Sequence, residues 1–374
     1  MHSLGLCLCV LVGQVLSCSQ STAEVALQST GEKPAQPAPP TPPSQVDEVV
    51  TSGEFSVFLA GDVFLGEHLK DYIKKHGPSY PFAGLRETID RHTIAFANFE
   101  SSITTAEKPI WVKKYVFRVG LDEARVLGSS GLDLVSIANN HTMDFGEEGF
   151  LDTLEALETI GQRYVGGGRD LAEAAKPSVF TAGGTRVVFL AYSDWSSTLT
   201  KAAGDRAGIN PLETDRAALE IRMLKKPGSV VLVSVHWGIQ HTEIPSSQQV
   251  RAAHALIDAG ADVIVGHHSH CPQSVEVYKG KPVFYSLGNL VFGMSNPDRA
   301  HNIAASLLFD GDRLVSAQIL PVNGLFFSNG YSPRFLEGDT AAAVVKKIEK
   351  ISRRFHTKIT LASGKALLDL QMER

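Results

Sequence analysis

Side chains that commonly ligate metals follow short apolar runs at six places in this chain. His236 follows Val230–Val235, His267, His268 and His270 follow Asp262–Val265, and Ser286 and Asn289 follow Pro282–Tyr285. Earlier, VFLAGDVFLG, IAFANFESS and LDLVSIANNHTMDFG repeat the arrangement with Asp62, Glu100, Asn140 and His141. A single histidine after a strand is usually a cap or a surface residue. His268 and His270 say more, because residues i and i+2 of an extended segment face the same side and can converge on one ion. Ligand-type groups recurring after successive apolar runs point to a metal site.

Imidazole nitrogens combined with carboxylate and amide oxygens suit one or two borderline to hard divalent ions, namely Zn, Mn, Fe or Co. They do not suit a structural zinc held by thiolates. Such an ion lowers the pKa of a bound water and polarises a phosphoryl or carbonyl oxygen, so hydrolysis is the expected reaction. His141, next to Asn140, is placed to give a proton to a leaving group, with Asp144 orienting its ring.

The elements that must position these groups read as alternating strands and helices. Strands are predicted at Phe55–Leu59, Thr93–Phe96, Leu134–Ala138, Arg186–Ala191, Val230–Val235, Asp262–Val265 and Val283–Tyr285. Runs that are apolar throughout fit strands buried on both faces, which carry their ligand groups where they end. Helices are predicted from Gly66 to Lys75, Asp122 to Ser130, Gly146 to Ile160, Asp215 to Leu224 and Gln248 to Ala259. The helical spacing of Phe150, Leu154 and Leu157, four and then three residues apart, supports the third of these. The pattern implies an α/β layered domain with parallel pairing. A hairpin closes it around Gly311-Asp312, and Thr340–Phe355 reads as a basic amphipathic helix that packs on the domain and does not bind a partner. Gly166-Gly167-Gly168-Arg169 does not complete a dinucleotide-binding loop, because Leu171 stands where the third glycine is needed; these residues read instead as a tight turn beside the site.

With 374 residues, 43% of them hydrophobic, the chain can bury a large core. Its net charge of −5 argues against nucleic acid as a partner, since no basic stripe stands out in the sequence. Leu4–Leu16 is too short an apolar run to span a membrane. It ends in Val15-Leu16-Ser17-Cys18, which resembles a bacterial lipoprotein cleavage box, although Lys or Arg is missing ahead of the run. Lipid on Cys18 would tether an exported protein to the cell envelope, with the Pro-rich segment of residues 19–53 as spacer. An ordinary cleaved signal peptide is the alternative. Cys271 is then the one thiol in the folded part, which leaves no intrachain disulfide.

The motifs, taken in order, carry a resemblance. Gly61-Asp62, Asn98-Phe99-Glu100, Ala138 to Gly146 (ANNHTMDFG), Val235-His236-Trp237-Gly238, Gly266 to His270 (GHHSH) and Tyr285 to Asn289 (YSLGN) resemble the CapA family of poly-γ-glutamate capsule synthesis proteins. That family is itself similar to the calcineurin-like metallophosphoesterases. The resemblance covers roughly residues 54–325 and implies a metallophosphoesterase-like four-layer α-β-β-α sandwich. By position it implies metal ligands at Asp62, Glu100, Asn140, His236, His268 and His270, with His141 as the catalytic imidazole. One departure is marked: the phosphoesterases carry a histidine two residues after the first carboxylate, and here that residue is Phe64. One metal position therefore lacks a ligand.

The family name implies work on an anionic γ-linked polymer. Lys113, Lys114 and Arg118 are the candidate cations for a polyanion or phosphate, and Asn289 is a further candidate substrate contact. The domain is expected over residues 54–335, with a helical extension over 336–374. Three readings stay open: a metal-dependent hydrolase of amide or phosphoester bonds, a non-catalytic capsule-assembly subunit that binds polymer, and a generic exported phosphoesterase.

Overall fold

The computed structural model describes residues 53–110, 113–195, 197, 199–293, 300–324, 330–362 and 364–371. The expected leader, its cleavage box and all but the last residue of the Pro-rich segment lie outside the described residues. So do Trp111 and Val112.

The strands are β1 (Glu54–Val63), β2 (Ile94–Phe99), β3 (Leu134–Ser136), β4 (Arg163–Val165), β5 (Ser178–Ala182), β6 (Thr185–Ser193), β7 (Ser229–His236), β8 (Val263–His267), β9 (Val275–Tyr278), β10 (Lys281–Phe284), β11 (Asn289–Val291), β12 (His301–Asp310), β13 (Arg313–Asn323), β14 (Ile359–Ala362) and β15 (Lys365–Leu368). The longer helices are α1 (Leu69–His76), α2 (Gly146–Ile160), α3 (Thr214–Leu224), α4 (Ser247–Asp258) and α5 (Gly338–Ser352). One sheet has nine strands in the order β14-β15-β13-β12-β1-β2-β3-β4, with β11 pairing β1 off that path. A second has six, in the order β9-β10-β8-β7-β6-β5, and two further sheets have two short strands each.

Strand alternation builds the layers. In β7, Val230 and Leu232 face the core between the sheets, where they meet Phe96, Leu134 and Leu307. Val231, Val233 and Val235 face the opposite way, onto Ala217 and Ile221 of α3 and Ala253 and Leu256 of α4. In the first sheet Phe58 and Ala97 face Leu69 of α1 and Phe150, Leu154 and Leu157 of α2. The order helix, sheet, sheet, helix is the four-layer α-β-β-α sandwich expected.

Helix ends follow local chemistry. The Ser246 hydroxyl accepts from the backbone N–H of Gln249, whose side chain returns to the Ser246 N–H, giving α4 a reciprocal cap. α2 stops at Gly161, whose φ of 72° lies in the left-handed region.

Two expectations need correction. Parallel pairing holds for β1–β2–β3–β4, β1–β11 and β6–β7–β8–β10. Antiparallel strands flank these centres, with β5 on β6, β9 on β10 and β12 on β1. The C-terminal region is not a purely helical extension either. After α5 the chain forms the hairpin β14–β15, and β15 pairs with β13, so residues beyond 336 complete the nine-stranded sheet. Their alternation is short and half-exposed, which leaves little periodicity to read.

Candidate metal centre

The carboxyl ends of the parallel strands from both sheets meet at one place. β1 brings Asp62, and β2 brings Asn98 with Glu100 just past its end. The loop after β3 brings Asn139, Asn140 and His141. β7 ends in His236, β8 ends in His267 and leads to His268 and His270, and β11 begins with Asn289. Close backbone approach requires glycine here. A Cβ on Gly61 would lie 1.9 Å from the Gly288 carbonyl oxygen, and one on Gly266 would lie 2.0 Å from that of Tyr285.

The ligand-type atoms fall into two sets that share one residue. Glu100, His236 and His268 form one set, and Asp62, Glu100 and His270 form the other; within each, the candidate ligand atoms lie within 4.8 Å of one another. Asn140 joins the first set, its Oδ1 being 2.7 Å from His236 Nε2, and His268 Nδ1 is 2.9 Å from the same nitrogen. His268 and His270 do not converge through strand alternation. Their φ angles of 91° and 54° put both in the left-handed region, so a strained turn sends one ring to each set.

Glu100 is fully buried, and neither carboxylate oxygen has a hydrogen-bond partner. Burial, and then the nearby Asp62 and Asp144, push its carboxyl well above the usual range. Burial also pushes Asp62 up, but His267, His270 and Asn98 together outweigh it and hold its pKa below the usual value. His236 lies well below the usual imidazole range because of burial and the neighbouring imidazoles. Burial and His270 bring His268 down to about 3. Neutral imidazoles around an orphaned buried carboxylate form a donor set that fits a divalent cation.

His141 is placed differently. Its Nδ1 lies 2.7 Å from Asp144 Oδ2, and its Nε2 lies 3.8 Å from Glu100 Oε1. Burial lowers its pKa, opposed by Asp144. Asp144 also accepts from Lys113 Nζ and from the Phe117 backbone N–H.

A cavity of about 560 Å³ opens onto the centre. Lys113, Lys114, Tyr115, Asn140, His141, Trp195, Ser197, Thr200, Ile239, Gln240 and His268 line it. Lys113 is held by Asp144 and the Asn140 carbonyl. Lys114 lines the cavity with its Nζ 5.0 Å from the Tyr115 ring centroid. Arg118 is outside the lining, with its guanidinium bonded to the Ala106 carbonyl and 5.4 Å from the Phe145 ring. Asn289 does not line it either, and its Oδ1 is 3.0 Å from His270 Nδ1. Gly166–Arg169 is outside the lining as well, and it is not the tight turn expected: Gly167-Gly168 pair antiparallel with Gly208-Ile209, and Arg169 pairs with Glu158 and Glu173. Phe64 is buried, stacked on Phe117 at 4.3 Å between centroids and packed near Phe292.

Three residues at the centre stand in the motifs but were given no role from sequence. Asn98 donates to Asp62 Oδ1 at 2.8 Å and approaches His236 Nδ1 at 3.3 Å. Asn139 donates to Asn98 and to the Phe99 carbonyl, and its Oδ1 accepts from the N–H groups of His141 and Thr142. His267 Nδ1 is 3.2 Å from Asp62 Oδ1, off the line of a hydrogen bond, and both its ring nitrogens lack partners. The signal for His267 was its register: as the last residue of β8 it pairs with His236.

The sequence model described as "Bacterial capsule synthesis protein PGA_cap" matches residues 56–294. The capsule biosynthesis protein CapA of Bacillus anthracis is 30% identical over 246 residues, 64% of this chain and 60% of that protein. A probable polyglutamine synthesis accessory protein of Mycobacterium tuberculosis is 31% identical over 285 residues, 71% of this chain and 74% of that protein. The chain thus spans about 60% of the length of the first of these relatives. Among solved structures, an NAD nucleotidase of Haemophilus influenzae superposes with a TM-score of 0.45 at 17% identity, covering 80% of this chain and 63% of that one.

Proposed function

The chain belongs to the bacterial capsule synthesis protein family, and on that premise we propose that it is a metal-dependent hydrolase of the cell envelope, acting on an amide or phosphoester bond in capsule or poly-γ-glutamate synthesis, anchoring or processing. The observation that carries this reading is Glu100, buried, unpaired and common to two sets of ligand-type side chains.

Asp62, Glu100, Asn140, His236, His268 and His270 would hold one or two divalent ions. When bound, an ion supplies a water of lowered pKa and polarises the bond under attack. The surrounding residues fix these groups in place. Asn98 orients Asp62 and lies against His236, and Asn289 orients His270. Asp144 keeps the His141 proton on Nδ1, which leaves the Nε2 lone pair facing the cavity. From there the ring takes up a proton and returns it to a leaving group. Lys114, at the rim, is the cation we assign to an anionic substrate. Lys113 acts through Asp144 instead. Export and a lipid tether at Cys18 belong to the same reading, and mass spectrometry of the mature protein checks them: an unmodified Cys18 or another N-terminus removes the tether.

One observation favours a second reading, a non-catalytic subunit that binds polymer. Phe64 is packed against Phe117 and Phe292, and among the described residues the second set has Asp62, Glu100 and His270 alone. Metal analysis of the purified protein, followed by a screen of phosphoester and γ-glutamyl amide substrates with each ion, decides between them. Bound metal with turnover supports the hydrolase. Bound metal without turnover on either class supports the assembly subunit.

A further inference from the structure

The C-terminal helix α5 has one face fully committed and the opposite one open. Val344, Val345, Ile348 and Ser352 are buried, the first three in the core between the sheets. The Ser352 hydroxyl accepts from the Val275 N–H, and the Ile351 carbonyl accepts from Ser274, which ties the helix down. At 100° per residue, Lys346, Lys347 and Lys350 occupy an arc of about 100° opposite that buried face, and Arg353 and Arg354 continue the charge in the 3₁₀ turn that follows. All five are exposed. Lys347 pairs with Glu243, and among the described residues no carboxylate is within ion-pair distance of the other four. The concentration is notable in a chain whose net charge is −5.

At the foot of the helix the stripe runs into a second cavity, of about 260 Å³. Lys279, His356, Thr357 and Lys358 line it, with Asp369 as the carboxylate in its wall. The buried Thr357 hydroxyl has no hydrogen-bond partner there. Lys279 is partly engaged by Asp258.

We propose that the outer face of α5 and the cavity at its foot form a polyanion-binding surface, separate from the metal centre, that takes an extended polycarboxylate chain. The apolar side of α5 is spent on the core, so the helix has no face to insert into lipid and binds through charge alone. Successive cations along the helix, about one turn or less apart, suit a repeating anion. A carboxylate polymer is the occupant favoured because the metal cavity has little charge for one: Lys113 is already paired, leaving Lys114. This choice of polymer rests on the capsule reading above, while the binding surface itself does not depend on hydrolysis.

The test uses the full chain and labelled poly-γ-glutamate, with binding followed by fluorescence anisotropy over a range of sodium chloride concentrations. Wild-type affinity should fall steadily as salt rises. The variant K346Q/K350Q/R353Q/R354Q should bind roughly tenfold more weakly with a flatter salt dependence, and K346R/K350R should bind as wild type. All four positions are exposed, and an unchanged melting temperature confirms that the variant is folded. The double variant H236A/H268A, impaired at the metal centre, should still bind polymer normally. If the glutamine variant binds as wild type while H236A/H268A does not, the polymer sits in the metal cavity; this proposal then fails and the hydrolase reading stands. Preferential capture by anionic phospholipid vesicles over the polymer overturns it as well.

Discussion

Glu100 concentrates the electrostatics of the centre, because a buried carboxylate without a partner is costly unless a cation meets it. Glu100→Gln should therefore raise the melting temperature of the metal-free protein. It should also abolish the stabilisation that added metal gives the wild type, which is about 2.7 kcal/mol at a hundredfold excess over Kd. Calorimetry with and without metal checks both, and a metal shift retained in the variant would take Glu100 out of the ligand set. His141 should behave in the opposite way. Its Nε2 faces the cavity and its Nδ1 is fixed by Asp144, so His141→Ala should lower kcat about 10²–10⁴-fold with metal content unchanged. Asp144→Asn, expected from sequence to affect only the ring, also loosens Lys113 and Phe117, so it should lower thermal stability as well as turnover. At this scale the sequence displayed ligand types clearly, since few folds need imidazoles after several strands. It did not display orientation. His268 and His270 were paired through strand alternation, whereas left-handed backbone at both residues sends their rings to different sets. Asn98 drew no role, and His267, though singled out, was left out of the ligand set, because an amide or imidazole beside a stronger candidate looks ordinary until its partner across the sheet is known.

Elements bring these residues together through close backbone approach, and glycines set the spacing. Gly266→Ala would force a Cβ to 2.0 Å from the Tyr285 carbonyl and 2.6 Å from the Trp237 indole nitrogen, which itself donates to that carbonyl. Backbone on one side and a fully buried indole on the other cannot both yield. The substitution should cost about 3 kcal/mol and weaken metal binding, because β8 carries His267 and leads to His268. Urea unfolding and metal titration of the same variant test this, and a loss below about 0.5 kcal/mol would show that the strands can separate at no consequence. The central strands were readable because parallel strands buried on both faces are apolar throughout. The flanking hairpins were harder. Gly183 and Gly184, with φ of 55° and 75°, make the tight turn between β5 and β6, and the Gly-Gly pair was a usable signal. Lys279-Gly280, between β9 and β10, turns the same way with a weaker signature.

For the whole molecule, the question is whether the last forty residues are an appendage or part of the sandwich. The family match ends at residue 294, and the sequence suggested a helical extension after residue 335. Yet Val344, Val345 and Ile348 of α5, with Ile359, Ala366 and Leu368 of the hairpin, join the same core between the sheets as Phe189, Leu232 and Leu307. β15 also covers the edge of β13, pairing Leu367 with Gln318 and Ala366 with Ile319. Removing the five buried Val, Ile and Leu side chains among these at roughly 1.5–3 kcal/mol each would cost about as much as the entire stability of an ordinary domain, about 5–15 kcal/mol. It would also uncover Ala317, Ile319 and Val275 and leave the edge of β13 open to self-association. A chain ended after Leu336 should therefore aggregate or lack a cooperative thermal transition, although every proposed metal ligand is still present. Should that shortened chain instead melt cooperatively near the wild-type temperature, α5 and its hairpin would be an accessory layer. The core between the sheets would then have to be complete without them.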